Sequence, residues 1–224
     1  MAELFLVRHG QASFGAENYD QLSEIGEQQS LWLGEYFARQ GIGFDRVISG
    51  TLRRHEQTLN AIQRGMGSVA PDVERMDALN EYDFQALFAA AGEHFPELLP
   101  MSRGGLRDHS RALREMLRLW SEDRIGGAIP ETWAQFQARV AAARAAIQRG
   151  NACRVLVVSS GGPISVFMQQ VLAAPAASAI ALNLQIRNSS FSQYFFGADA
   201  CHLATFNSVP HLDDPARSAY RTFG

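Results

Sequence analysis

Three short stretches, residues 4–7, 47–49 and 155–159, are apolar almost without interruption rather than at every second position. Parallel strands covered on both faces read this way, so each is predicted as a buried strand. Helical periodicity fills the intervals. Ser23 is a good N-cap, Ile25, Trp32, Leu33, Tyr36 and Phe37 follow on one face, and Gly41 ends the run. A second helix from about Leu52 carries Leu59, Ile62 and Met66 on one stripe. A third opens with Thr132 and Gln135 at capping-box spacing, continues through Trp133, Phe136, Val140, Ala143 and Ile147, and stops at Gly150. A fourth is predicted after Pro163, taken as a first helical position, with Ile164, Phe167, Met168 and Val171 inward. Alternating strands and helices of this kind predict an α/β fold. It is a three-layer α/β/α sandwich, a mostly parallel sheet with helices on both faces.

The stretch 81–130, rich in Phe, Arg and Gly, breaks the rhythm and is predicted as a helical cap insertion over one sheet edge. Residues 184–196 and 202–206 read as strands joined by the turn Gly197-Ala198-Asp199. With no linker or repeat, residues 1–224 are expected to form a single domain. A 46% hydrophobic and 19% charged composition is ordinary for a globular chain, and a net charge of −3 argues against nucleic acid and anionic membranes as partners. Cys153 and Cys201 lie far apart with no metal-type spacing, so both are expected as core fillers in a reducing compartment. No apolar run approaches the roughly 18 residues of a membrane span, and no leader pattern is visible, so the expectation is cytoplasmic.

Candidate chemistry sits where the strands end. Arg8-His9-Gly10 follows the first, Ser49-Gly50-Thr51-Leu52-Arg53-Arg54 the second, and Ser159-Ser160-Gly161-Gly162 the third. In an open α/β sheet the carboxyl ends of the strands form the ligand crevice. If the strands are parallel, one rim gathers two arginines, a histidine and a glycine pair opening a helix. Arg matches phosphate oxygens with its planar fork, neutral His is a nucleophile toward phosphorus, and amides at a helix start favour an anion. Arg54 paired with Glu56 or Asp45, or Gly161-Gly162 as a plain tight turn, are the alternatives.

These segments, in this order, resemble the histidine phosphatase superfamily, or phosphoglycerate mutase-like family, over essentially the whole chain. The nucleophile motif is Leu6-Val7-Arg8-His9-Gly10. Asp20-Gln21-Leu22-Ser23-Glu24-Ile25-Gly26 is similar to the segment opening the family's first helix. The second motif runs from Ser49 through Arg54 to Gln57-Thr58. Leu79-Asn80-Glu81 matches the acidic residue, Val157 through Ile164 the last motif, and Phe206-Asn207 to His211-Leu212 the usual ending. The resemblance implies a phosphorylated nucleophile at His9, proton transfer by Glu81, and phosphate held by Arg8, Arg54, Ser160 and Gly161, with no cofactor or metal.

Two departures qualify it. Where the family has a second histidine, this chain has Ser160, a shorter, neutral donor. In the loop between Gly10 and Asp20 many members of the family carry an acid and a later Asn, whereas this chain has Gln11, Ala12, Ser13 and Phe14, with Gln11 and Ser13 as candidate neutral donors. His55 occupies a position the family usually gives to a small residue; it is either packing or a partial replacement for the missing imidazole. His94, His109 and His202 read as surface or structural, and His211 as a fold residue. Arg103, Arg107, Arg111, Arg114 and Arg118 form either a substrate-attracting ridge or a solvated face paired with Asp108, Glu115 and Glu122. Tyr82, Phe84 and Phe88 would shape the substrate pocket or simply pack the cap. The expected activity is a phosphomonoesterase on a small phosphorylated molecule. The alternatives are an impaired phospholigand-binding pseudoenzyme and a phosphoglycerate mutase-type phosphotransferase.

Overall fold

The computed structural model describes residues 1–13, 20–67 and 71–223; Phe14 lies outside them. The order is β1 (Ala2–Arg8), α1 (Glu24–Arg39), β2 (Arg46–Ser49), α2 (Arg53–Met66), β3 (Val73–Arg75), α3 (Phe84–His94), α4 (Leu98–Ser102), α5 (Leu106–Ser121), α6 (Trp133–Gln148), β4 (Arg154–Ser159), α7 (Gly161–Val171), α8 (Ala176–Asn183), β5 (Phe191–Phe196) and β6 (Cys201–Ser208). The strands form one sheet in the order β3-β2-β4-β1-β5-β6. β1 and β2 each pair in parallel with β4, β3 adds in parallel to β2, and β5 and β6 extend the other edge antiparallel.

Strand alternation assigns the layers. Leu4, Leu6, Ile48, Val155 and Val157 face one cluster with α6 and α7; Phe5, Val7, Val47, Leu156 and Val158 face the other, with α1 and α2. Each such side chain taken out of water contributes about 1.5–3 kcal/mol, enough to fix strand register, since a one-residue slip would exchange the faces. α6 follows the sequence closely: the Thr132–Gln135 capping box forms, and Trp133, Phe136, Val140, Ala143 and Ile147 are its buried face.

Several expectations are corrected. α1 buries Gly26, Gln29, Ser30, Leu33, Gly34 and Phe37, and leaves Ile25 exposed. The loop after β1 lies against its first turn, where the Gln11 N–H donates to Gln29 Oε1 at 2.9 Å, so polar and small residues point inward there. α7 begins at Gly161, which makes Pro163 its third residue, tolerated because a helix's first N–H groups need no helical acceptor. The expected strand from residue 184 starts only at Phe191, because α8 occupies Ala176–Asn183. β3 is a three-residue, largely exposed strand with no apolar run to announce it. The helices within 81–130 pack chiefly on one another and, through α5, on α8 and α6, and their apolar faces join the core cluster on that side of the sheet. Cys153 is exposed and Cys201 half-buried, so neither fills the core, and both are free thiols. No helix among the described residues is long and apolar enough to cross a membrane.

Candidate active site

Because β1, β2 and β4 run in parallel, the three motif loops leave the sheet on the same rim. The antiparallel β5 brings its entry to that rim as well. The Arg8 N–H donates to Ser190 O at 2.9 Å, the Ser189 N–H to His9 O at 3.1 Å, and Arg8 Nη1 to Ile186 O. Arg8, His9, Arg54 and Glu81 line one small cavity of about 70 Å³, closed by Tyr82, Phe84, His109, Leu113, Asn183 and Leu184. A larger open hollow of about 700 Å³ lies at the amino ends of the strands, around Glu3, Asp45 and Arg154. Its lining holds the Cys153 thiol but no histidine, and strand polarity favours the smaller cavity as the site.

His9 is almost wholly buried, and its ring is oriented by its own neighbour: Nδ1 lies 2.7 Å from Gly10 O. A carbonyl only accepts, so Nδ1 carries the hydrogen and Nε2 keeps its lone pair. Burial, then the adjacent Arg8 and Arg54 charges and His55, hold its pKa well below the usual imidazole value. The ring is therefore neutral at pH 7, as nucleophilic attack requires.

Arg54 is buried at the start of α2, whose N-cap residue Leu52 supplies no side-chain cap. Asp20 closes that end from a distant loop. Its Oδ1 accepts from Arg54 Nη1 at 2.9 Å and its Oδ2 from the Arg53 N–H at 2.9 Å. The suggested partners of Arg54 are engaged elsewhere: Glu56 with Arg75 at 2.7 Å, and Asp45 with the Cys153 and Arg154 amides at 2.8 and 3.0 Å.

Glu81 closes the start of α7 in a similar way, accepting the Gly162 N–H at 3.1 Å on Oε1 and 3.2 Å on Oε2. Glycine at 162 permits this close approach, because a Cβ there would lie 2.1 Å from Glu81 Oε1 and 2.7 Å from the Tyr82 ring. Burial raises the Glu81 pKa above the usual carboxylate range, against the opposing pull of the Gly162 amide, Arg54 and Arg8. The amide pair expected to face an anion is thus half committed to this carboxylate. The Gly161 backbone borders the guanidinium of Arg8, whose Cζ a Cβ at 161 would meet at 3.7 Å.

Ser160 and His55, fully buried, do not line the cavity but stand behind it, Ser160 Oγ 2.7 Å from His55 Nε2. The His55 and His9 ring centres are 5.8 Å apart. Gln11 and Ser13 turn away from the cavity: Gln11 Oε1 accepts from the Ser23 hydroxyl at 2.9 Å, and Ser13 Oγ donates to Leu22 O at 3.0 Å. They brace the loop after β1 and are not brought to the site.

The outer wall holds residues that the motifs do not mark. His109 and Leu113, four apart on α5, share the face turned to the cavity, a spacing visible in the sequence. Asn183, whose Nδ2 donates to Tyr82 Oη at 3.2 Å, and Leu184 come from the unforeseen end of α8. Tyr82 and Phe84 line the wall, whereas Phe88 is core. Of the arginine ridge, Arg118 pairs with Glu115 and Glu122 at 2.6 Å each. Arg107, Arg111 and Arg114 are exposed on the side of α5 opposite its buried Ala112, Met116 and Trp120. They face away from the cavity. His211 Nε2 meets Ser189 Oγ at 2.8 Å and ties the C-terminal segment to the backbone behind His9, a fold role.

The family model described as histidine phosphatase superfamily (branch 1) matches residues 4–209. A probable phosphoglycerate mutase GpmB of Salmonella paratyphi B is 28% identical over 228 residues, covering 96% of this chain and 97% of that protein. The crystal structure of phosphoserine phosphatase from Entamoeba histolytica, in complex with 3-phosphoglyceric acid, superposes with a TM-score of 0.66 at 21% identity, covering 95% of this chain and 100% of that one. YhfR of Bacillus stearothermophilus superposes with a TM-score of 0.70 at 17% identity, covering 94% and 99%.

Proposed function

The chain belongs to the histidine phosphatase superfamily (branch 1), and from that membership we propose that it hydrolyses a small phosphomonoester in two in-line steps through a phosphohistidine at His9. One observation carries this reading: Arg8, His9, Arg54 and Glu81 line a single cavity, with the His9 ring neutral and its hydrogen fixed on Nδ1. In the first step the Nε2 lone pair attacks phosphorus, the ester P–O bond breaks, and Glu81 gives its proton to the departing oxygen. In the second, Glu81 takes a proton from water as that water attacks phosphorus, the P–N bond breaks, and the electron pair returns to Nε2. Arg8 and Arg54, with the Gly161 amide beside them, bear the charge on the equatorial oxygens, where most of the catalysis of phosphoryl transfer resides. The raised Glu81 pKa suits a group that must hold a proton in one step and accept one in the next.

The outer wall bears on the substrate. Tyr82, Phe84, Leu113 and Leu184 are apolar or aromatic, and neither the wall nor the sequence stretch 14–19 contains Lys or Arg. A substrate carboxylate would lack a fixed cation there, and burying an unpaired charge is costly. This supports hydrolysis of esters with an uncharged leaving group over a phosphoglycerate mutase-type transfer. Acid-quench trapping with a labelled aryl phosphate tests the reading: wild type accumulates phosphoenzyme and His9→Ala does not. In steady state, the aryl ester exceeds 3-phosphoglycerate in kcat/KM by about tenfold or more, the scale of one mismatched pocket contact. Phosphate binding without phosphoenzyme or turnover across a broad panel would leave the pseudoenzyme reading instead.

A further inference from the structure

We propose that His55 is a positioning residue that acts through Ser160, donating to its hydroxyl so that the Ser160 proton is directed at the phosphoryl group held beside His9. The inference rests on the phosphate-site reading above and deepens it: an imidazole from α2 and a hydroxyl from the end of β4 together supply a donor where the family resemblance places a single histidine.

The hydrogen-bond inventory sets the direction. A neutral imidazole has one N–H, on either Nδ1 or Nε2. His55 Nε2 lies 2.7 Å from Ser160 Oγ, and Nδ1 has no partner among the described residues. The Gly50 backbone presses on Nδ1 so closely that a Cβ at 50 would lie 2.2 Å away. A hydrogen on Nδ1 would be a buried donor with no acceptor, whereas a bare lone pair is the lesser loss, so the hydrogen belongs on Nε2. His55 then donates, Ser160 Oγ accepts, and the hydroxyl's own hydrogen must go elsewhere. It does not cap α7, although Ser160 is that helix's N-cap residue, and Oγ has no second partner among the described residues. Full burial denies it bulk water.

Position supplies the acceptor. Ser159 O takes the His9 N–H at 3.0 Å, and the Gly161 backbone borders the Arg8 guanidinium. Ser160 therefore lies in the chain between the residue that takes the His9 amide and the residue that borders Arg8, directly behind the cavity wall, and a bound anion is the acceptor we assign to its remaining hydrogen. The burial of His55 and the Arg54 charge, which lower its pKa to about 3, keep the ring in the neutral form this relay needs.

A double-mutant cycle with two readouts tests the relay: His55→Ala, Ser160→Ala and the double variant, each scored for inorganic phosphate binding by calorimetry and for the rate of phosphoenzyme formation in rapid quench. Each single variant is expected to weaken phosphate binding about tenfold and slow phosphoryl transfer by about 10–10², with the double variant no worse than either, because the two groups act as one donor. Ser160→Thr, which keeps the hydroxyl, should retain most of the rate. Unchanged phosphate affinity in folded His55→Ala, or losses that multiply in the double variant, would overturn the relay. A fall in Tm with rate and affinity intact would reduce His55 to packing. A wild type that binds phosphate yet forms no phosphoenzyme would sink the hydrolase reading, and the binding arm would still decide the relay.

Discussion

Two helices start on the rim that holds the candidate site, and each has its first amides closed by a carboxylate from elsewhere in the chain. At α2 the carboxylate is Asp20, and at α7 it is Glu81. Both satisfy orphan N–H groups and place negative charge at the positive end of a helix. Their surroundings differ. The Asp20 side chain is 36% exposed and pairs directly with Arg54 at 2.9 Å, so it is solvated and has a charge partner of its own. Glu81 is half-buried beside Tyr82, and among the described residues its oxygens accept only backbone amides, from Gly162 and from Tyr82 at 3.3 Å. Desolvation outweighs those bonds and raises its pKa. The same capping contact thus gives a charge-paired brace at one helix and, on the function proposed above, a proton carrier at the other, with desolvation and the lack of a direct ion pair separating them.

The sharpest way to break this comparison is Glu81→Gln. The amide oxygen still accepts the Gly162 N–H, so the cap survives while the titratable proton is lost. Turnover should fall about 10²–10⁴-fold, the usual contribution of a positioned acid–base group, with phosphate affinity little changed. A variant that retains activity within a few-fold would mean that Glu81 is only a cap. Gly162→Ala comes next. It adds a methyl 2.1 Å from Glu81 Oε1 and 2.7 Å from the Tyr82 ring within a helix where Ala is otherwise favoured, so it displaces the carboxylate and presses on Tyr82 while the turn itself is retained. Activity should drop about 10²-fold, as for a misplacement near 1 Å, and the acid limb of the kcat–pH profile should move back toward the ordinary carboxylate range. An unmoved limb would show that Gly162 does not hold Glu81 in its buried place.

How far each helix start can be read from sequence follows the same division. Arg8, His9 and Arg54 are legible because each sits within two residues of a strand end or at a helix start, where the backbone alone fixes position. α6 and the alternating faces of β1, β2 and β4 are legible for a similar reason, since one side-chain period governs each element. Asp20 and the partnership of Ser160 with His55 join residues 33 or more positions apart through side chains, and no local period marks such a contact. His109 was within reach of the helical spacing on α5. Asn183 was not, because α8, a short helix with most of its length apolar, has no capping residue or polar stripe to separate it from the strand that follows.

A smaller effect is expected at the α2 end. Asp20→Asn keeps an acceptor for the Arg53 N–H and removes the charge facing Arg54. A half-exposed pair of this kind is worth about 0.2–1 kcal/mol. KM should therefore rise about two- to fivefold, with kcat held within about twofold. A large fall in kcat would mean that Asp20 does more than brace the arginine, and would bring the two helix starts closer in role than their burial implies.

The slightest expected effect uses pH to set the two helix starts against each other through stability. His55, in the first turn of α2, has its pKa lowered to about 3, and His211 likewise. Between that value and the unfolded imidazole's 6.5, the unfolded chain holds more protons than the folded one. Stability is therefore fully present above about pH 6.5 and is lost as the solution is acidified through this window, at up to about 1.4 kcal/mol per pH unit for each imidazole. Glu81 works in the opposite sense. Its folded pKa lies above 4.5, so its contribution is present at low pH and fades as pH rises through the raised value. Thermal melts from pH 7 to 4.5 should show a shallower acid loss of Tm in His55→Gln than in wild type and a steeper one in Glu81→Gln. Parallel curves for His55→Gln and wild type would mean that this imidazole takes up its proton in the folded state. The buried start of α2 would then be as open to solvent as Asp20 beside it.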